Sequence, residues 1–265
     1  MNISSLFSLE GKTALVTGGS KGIGAMIAKG LIDAGSQVYI SSRNEEECIQ
    51  AAKEMSNDKL KCLALPGDVS SLAGINELVE KYSKNEASLD ILVNNAGIVW
   101  QDSIDNFPED GWDQVLNTNL KSVFFLTQAL LPFLKIPATL EDPSRIINIG
   151  SIDGINKNTF KHYSYSASKS AVHHLTKVLA AELVDKYINV NVIAPGPFPS
   201  NMLGKAVSFD YGELEKRNPR GRVGTPEDIA GLAIYLSSRA GAFTVGEVIT
   251  CDGGLVAVAG HDLTS

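Results

Sequence analysis

The chain has 265 residues, 44% hydrophobic and 20% charged, so there is ample material for a core and a disordered polypeptide is excluded. Lys and Arg number 23 against 30 Asp and Glu, a formal charge of −7. No basic block interrupts that balance, which excludes nucleic acid or an anionic membrane as the main partner.

The N-terminal stretch Met1 to Lys12 has neither the basic start nor the apolar run of a signal peptide. Thr13 to Thr17 is a short apolar run ending in glycines and reads as a buried parallel strand. Ile23 to Ala34 carries a helical apolar stripe stopped by Gly35. Val38 to Ile40 is the second strand, Glu45 to Met55 a helix, Leu60 to Leu65 the third strand, and Leu72 to Ser83 a helix. Ile91 to Val93 is the fourth strand, followed by one long helix from about Trp112 to Leu134. Its greasiest part, Val123 to Leu134, is broken by Thr127, Gln128 and Pro132 and falls short of the ~20 residues that cross a bilayer. Ile146 to Ile149, Asn189 to Ile193 and Glu247 to Thr250 complete seven strands, with helices from Ser164 to Lys186 and from Pro226 to Leu236 between them. Strands alternating with helices imply right-handed crossovers and a parallel sheet covered on both faces. The expectation is therefore a single α/β domain over residues 1–265, doubly wound. Residues 195–225, irregular and rich in proline and glycine, form a candidate substrate lid beyond the sixth strand.

Cys48, Cys62 and Cys251 are too scattered for a disulfide framework, and the four histidines offer no zinc pair, since His173 and His174 are adjacent. A soluble cytoplasmic protein with no metal and no membrane partner is expected.

Gly18, Ser20, Lys21, Gly22, Ile23 and Gly24 join the first strand to the first helix. Glycines permit a tight turn whose backbone N–H groups reach a pyrophosphate at the helix N-terminus. The spacing is G-x-x-x-G-x-G, and it lacks the Lys-Ser/Thr ending of a nucleoside-triphosphate loop. An acidic residue at the end of the second strand selects NAD. Here Ser42 and Arg43 stand there, with no carboxylate before Glu45. Arg43 can pair with a 2′-phosphate, with Ser42 as a further donor and Lys21 as a second cation, so NADP(H) is expected.

Tyr165 and Lys169 are spaced i, i+4 and share one helix face. A phenol at about 10 is a poor proton-transfer group near neutrality, and lowering it by ~3 units requires about 4 kcal/mol of preferential phenolate stabilisation. A cation within ~4–6 Å shifts it in that direction. Ser151 emerges from the fifth strand at the same edge, where its hydroxyl could donate to a carbonyl oxygen. Tyr163 has alanine, not lysine, four residues on.

Thr17 to Gly24, Asn94 to Gly97, Asn119, Ser151, Tyr165 with Lys169, and Pro195-Gly196 occur in the order and spacing of the short-chain dehydrogenase/reductase family, and the chain resembles it from Leu9 to Gly254. The resemblance implies a Rossmann-type sheet of about seven strands and hydride transfer between a nicotinamide and a carbonyl or alcohol carbon. It implies that Tyr165 is the general acid or base, that Lys169 lowers its pKa and holds the nicotinamide ribose, that Ser151 orients the carbonyl, and that Asn119 holds main chain and a proton-relaying water. It places Asp68 and Val69 at the adenine, Asn95, Ala96 and Gly97 at its ribose, and Pro195 and Gly196 against the nicotinamide. Ser200, where the family often has threonine, is left for the carboxamide or a phosphate, and Phe198 for the same pocket.

In pattern the chain is similar to NADPH-dependent 3-oxoacyl reductases of the rhamnolipid-biosynthesis type, at Phe133-Leu134 with the long connection after it, at Ile188 to Pro195 and at Phe198 to Ser200. That similarity implies reduction of a 3-oxoacyl thioester, with Phe198, Met202, Leu203 and Val207 of the lid offering apolar contact. An NADP-linked enzyme of a sugar, polyol or xenobiotic carbonyl is the alternative, since one fold serves many carbonyls. A non-catalytic NADPH-binding regulator is the alternative from another class, and the intact tyrosine and lysine count against it. The family also implies a homodimer or homotetramer through the two long helices. How the apolar residues 123, 124, 126, 130 and 131 divide between core and interface is not readable from the sequence.

Overall fold

The computed structural model describes residues 2–58, 60–156, 160–199 and 211–258. Strands β1 (Thr13–Thr17), β2 (Gln37–Ser41), β3 (Leu63–Ala64), β4 (Ile91–Asn94), β5 (Ser144–Ile149), β6 (Ile188–Pro195) and β7 (Val248–Cys251) form one sheet, ordered β3-β2-β1-β4-β5-β6-β7. Every pairing is parallel. Strands β4, β5 and β6 are buried along their whole length, because helices cover both faces of the sheet.

Successive strand residues point to opposite faces. Ala14, Val16, Ile91 and Val93 enter the core under α2 (Gly22–Asp33), α3 (Glu45–Met55) and α9 (Pro226–Ser237). Leu15, Leu92 and Ile146 enter the opposite core, under α4 (Leu72–Ser83), α6 (Ser122–Leu134) and α7 (Tyr163–Leu183). The helices start where their sequences cap them. Asn44 Oδ1 accepts from the Glu47 N–H at 3.0 Å, and Glu45, Glu46 and Glu47 occupy the first turn of α3, where the helix dipole favours negative charge. The Ser71 hydroxyl accepts from the Gly74 N–H at 3.1 Å to open α4.

Three elements differ from expectation. The third strand pairs only over Leu63–Ala64, because the backbone before it bonds elsewhere. Asn57 N–H donates to Leu60 O and Cys62 N–H to the Ser56 hydroxyl, which keeps this edge segment off the sheet. The long helix is not continuous: α5 (Glu109–Leu116) passes through a π turn, Asn117–Lys121, into α6. Thr118 and Asn119 are buried and polar in that turn, and the extra residue re-aims them off the regular helix face. Two short helices, α1 (Ile3–Phe7) and α8 (Tyr211–Arg217), fall where the sequence shows no clear periodic stripe. Helix α8 lies inside the candidate lid, of which residues 200–210 are outside the described ones.

The apolar residues of α6 divide cleanly. Val123, Leu126 and Leu130 are buried against the sheet, while Phe124 is 38% exposed. Among the described residues, no helix is long and apolar enough to cross a membrane.

Candidate active site

The strand order changes direction between β1 and β4, and in open α/β sheets ligands bind beyond the carboxyl ends of the strands at that point. A cleft of about 770 Å³ opens there. Gly18, Ser20, Lys21, Gly22, Ile23 and Gly24 form one wall. Gly18 has φ +62°, and a Cβ on Gly24 would fall 2.3 Å from the Gly18 carbonyl oxygen, so this loop folds tightly only with glycine at those positions. Helix α2 begins at Lys21 with no side-chain cap, leaving its first N–H groups available to an anion.

Thr17 locks this loop to the end of β4. Its Oγ1 donates to Val93 O and accepts from the N–H groups of both Asn95 and Ala96, each at 3.0 Å. Asn95 Nδ2 returns bonds to Thr17 O at 2.9 Å and Gly18 O at 3.1 Å. Asn95, Ala96 and Gly97 line the floor of the cleft.

At the β2 end, Ser42 and Arg43 line the cleft. Arg43 is exposed and has no hydrogen bond or ion pair among the described residues. The Ser42 hydroxyl donates to Asn44 O at 3.1 Å, and the buried Ser41 hydroxyl, which also borders the cleft, has no partner among the described residues. Lys21 differs from expectation, being engaged by Glu47 at 2.9 Å, although both side chains are about half-exposed and such pairs open at little cost. Asp68 and Val69 border the same end. An anion cradle, a free guanidinium and the Ser41 hydroxyl together fit a dinucleotide carrying a further phosphate.

The opposite end of the cleft holds Ser151, Tyr165, Lys169, Pro195 and Gly196. The Ser151 hydroxyl lies on the same wall as Tyr165, near enough to favour ionisation of its phenol. Lys169 is buried, donates to Ile149 O at 2.7 Å, and lies over the Tyr165 ring, 5.6 Å from its centroid. The ammonium is expected to lower the phenol pKa, whereas the net shift is upward and burial is its largest cause. Burial pushes Tyr165 up to about 12; the Ser151 hydroxyl opposes that rise and Asp153 adds to it. Burial likewise pulls Lys169 down to about 8, with Asp153 opposing. The cation serves the ring face and a carbonyl, not the phenol oxygen, so Tyr165 keeps its proton near neutral pH.

Asn119 stands one layer behind. Its Oδ1 accepts from the Ile98 N–H at 2.9 Å, and its Nδ2 donates to Ile98 O and to the Ser168 hydroxyl. The π turn aims it there. The Asn119–Ser168 bond ties α7 to the turn, and Ser168 in turn donates to Tyr165 O within the helix at 2.7 Å.

One expected residue falls elsewhere. Phe198 is 2% exposed and packs in the core beneath α2 and α9, its ring filling the space that a side chain on Gly224 would need, so it does not line the cleft. Apolar lid residues have a choice between ligand and core, and this one takes the core. Ser200, with Met202, Leu203 and Val207, lies outside the described residues. Tyr163 points away from Tyr165 and stacks edge-on against Phe107 at 5.6 Å.

Residues 12–210 match the family model described as short chain dehydrogenase. The chain belongs to the short chain dehydrogenase family. It is 48% identical over 251 residues to the rhamnolipids biosynthesis 3-oxoacyl-[acyl-carrier-protein] reductase of Pseudomonas aeruginosa, covering 94% of this chain and 97% of the relative. The solved Pseudomonas aeruginosa RhlG/NADP active-site complex superposes with a TM-score of 0.91 at 46% identity, covering 97% of this chain and all (100%) of that one. A gluconate 5-dehydrogenase from Burkholderia cenocepacia, in complex with NADP and tartrate, superposes at 0.88 with 32% identity, over 97% and 99% of the two chains.

Within this short chain dehydrogenase, three side chains near the reacting end escape sequence reasoning. His173 accepts from the Ser151 N–H at 3.4 Å, and burial, with Lys169 and Lys177 nearby, lowers it to about 4, so it stays neutral and able to accept. Asp153 and His162 form a pair, Oδ2 to Nε2, at 3.1 Å. His173 shares a helix with Tyr165 eight residues away, a spacing that a helical wheel exposes. No local pattern joins Asp153 to His162.

Proposed function

We propose that this protein reduces a ketone to a secondary alcohol with NADPH, and that its substrate is a 3-oxoacyl thioester on an acyl-carrier protein or coenzyme A. The observation that carries the reading is the gathering of Ser151, Tyr165 and a buried Lys169, its ammonium over the Tyr165 ring, at one end of a dinucleotide-sized cleft.

Bound NADPH supplies a hydride to the carbonyl carbon. Ser151 and Tyr165 converge on the carbonyl oxygen and stabilise the negative charge that grows there. Tyr165 gives up its proton to that oxygen, a role suited to a phenol that stays protonated at neutral pH. Lys169, adjacent to the ring, is the nearest ammonium from which the proton is restored. Asn119 keeps Ile98 and Ser168 in register, and through them the floor of the cleft and helix α7. Gly18 to Gly24 hold the pyrophosphate, Arg43 the 2′-phosphate with Ser42 beside it, Asp68 and Val69 the adenine, Asn95 to Gly97 the ribose, and Pro195-Gly196 the nicotinamide.

The acyl-carrier substrate follows from the 48% identity to a 3-oxoacyl-[acyl-carrier-protein] reductase. Relatives named for gluconate make a sugar acid the competing reading. Steady-state kinetics with NADPH and NADH against 3-oxoacyl thioesters and 5-ketogluconate tests both. The expected result is at least a tenfold preference for NADPH and for thioesters; faster turnover of the sugar acid, or equal use of NADH, overturns the reading.

We further infer a cytoplasmic homodimer or homotetramer built as one domain from residues 1–265. The supporting features are free cysteines and exposed apolar side chains, Phe124 on α6 and Val178 on α7, on the helices the family pairs.

A further inference from the structure

Asp153 has no part in the chemistry above, yet it sits where that chemistry happens. It is the middle residue of the short turn Ile152–Gly154 that leaves β5, and it lines the cleft. Its side chain is 18% exposed, so it is neither a free surface carboxylate nor a sealed one. Two contacts fix it. Oδ2 lies 3.1 Å from His162 Nε2, and the backbone N–H of Asp153 donates to the Ser151 hydroxyl at 3.1 Å. His162 is itself wedged, its ring 5.2 Å from that of Tyr165 and 5.4 Å from that of Phe160, centroid to centroid.

Of the acidic side chains that border the cleft among the described residues, Glu47 and Asp68 stand at the β2–β3 end, with Lys21 and Arg43. Asp153 alone stands at the reacting end. The nearby cation, Lys169, is buried and turned to Ile149 O, whereas Asp153 keeps part of its carboxylate open to the cleft. An anchored charge cannot swing away from an incoming ligand, so its field selects by charge. Like charges brought together in a partly enclosed site are discriminated against more strongly than in open water.

We propose that Asp153, held by His162, is a specificity-determining residue that excludes ketones bearing a carboxylate one methylene away from the reacting carbonyl and admits uncharged ones, as in 3-oxo esters and thioesters. The inference deepens the reductase reading and rests on it for where the ketone lies.

A matched pair of ketones tests it: methyl 3-oxobutanoate and 3-oxobutanoate, which share the reacting carbonyl and differ in charge. With the NADPH-loaded full chain, the expected kcat/KM ratio favours the ester by tenfold or more. Asp153→Asn, nearly the same shape without the charge, is expected to cut that ratio about tenfold, through KM for 3-oxobutanoate. Asp153→Glu is expected to restore it, and His162→Phe, which frees the carboxylate, to lie between. A ratio in Asp153→Asn within twofold of the unmodified protein overturns the proposal, whatever happens to kcat. If neither ketone turns over, the reductase reading fails instead. The same ratio is then read from the binding of the two compounds to the NADPH-loaded protein by nucleotide fluorescence, and an unchanged binding ratio in Asp153→Asn overturns the proposal there too.

Discussion

At the scale of single residues, the site depends on which proton stays where. Tyr165, pushed up to about 12, is protonated across the neutral range, so donation to a carbonyl oxygen is available. Lys169, pulled down to about 8, is the group that titrates in the working range. Below about 8 it carries the proton that replenishes Tyr165; above it that proton is lost. The rate of ketone reduction is therefore expected to fall as pH rises through about 8, and a kcat profile flat from neutrality to pH 10 would contradict the role given to Lys169. Alcohol oxidation, which needs the opposite protonation, should climb over the same interval. Tyr165→Phe is expected to abolish turnover while NADPH affinity, followed by fluorescence titration, stays within a few-fold. Ser151→Ala, which removes one donor to the growing oxyanion, should lower kcat by ~10²–10³.

Among the elements, the contact between the end of β1 and the end of β4 decides whether the cleft exists. One hydroxyl, that of Thr17, satisfies two backbone N–H groups and anchors to a carbonyl. Thr17→Val keeps the shape and leaves the Asn95 and Ala96 N–H groups without that acceptor, at about 1–3 kcal/mol for each group that finds no other. A lower melting temperature and a weaker NADPH affinity should appear together, because the same bonds hold the glycine loop. Loss of stability with unchanged NADPH affinity would show that the loop holds without Thr17. The π turn works at the same scale. A regular helix through Asn117–Lys121 would turn Asn119 away from Ile98 and Ser168, and the one-residue excess is what brings it back.

For the molecule as a whole, a cofactor that binds only the folded state adds stability by mass action, about 2.7 kcal/mol at 100 times its dissociation constant. For a chain of this size that is a rise in melting temperature of roughly 5–10 °C. NADP+ is expected to give such a shift and NAD+ a smaller one at equal concentration, with the difference removed in Arg43→Ala. Equal shifts from both nucleotides in the unmodified protein would remove Arg43 from the 2′-phosphate.

The sequence by itself determined the alternation of strands and helices, the glycine loop and the i, i+4 pairing of Tyr165 with Lys169. Each of these is written in residues close along the chain: apolar runs, glycines at a turn, one helical repeat. The two-sided core follows for the same reason, since Ala14 and Val16 must face away from Leu15 in any strand. Only the tertiary structure decided the rest. The Leu60 to Leu65 run has strand character, but its first residues bond to Ser56 and Asn57 instead of β2. Phe198 is apolar in either role, and packing against Gly224 sends it to the core. Tyr165 and Lys169 sit at the expected spacing, yet burial sets the sign of both pKa shifts, and burial belongs to the whole assembly of neighbours. Asp153 meets His162 because the Ile152–Gly154 turn packs against the start of α7, a proximity that no helical or strand repeat encodes.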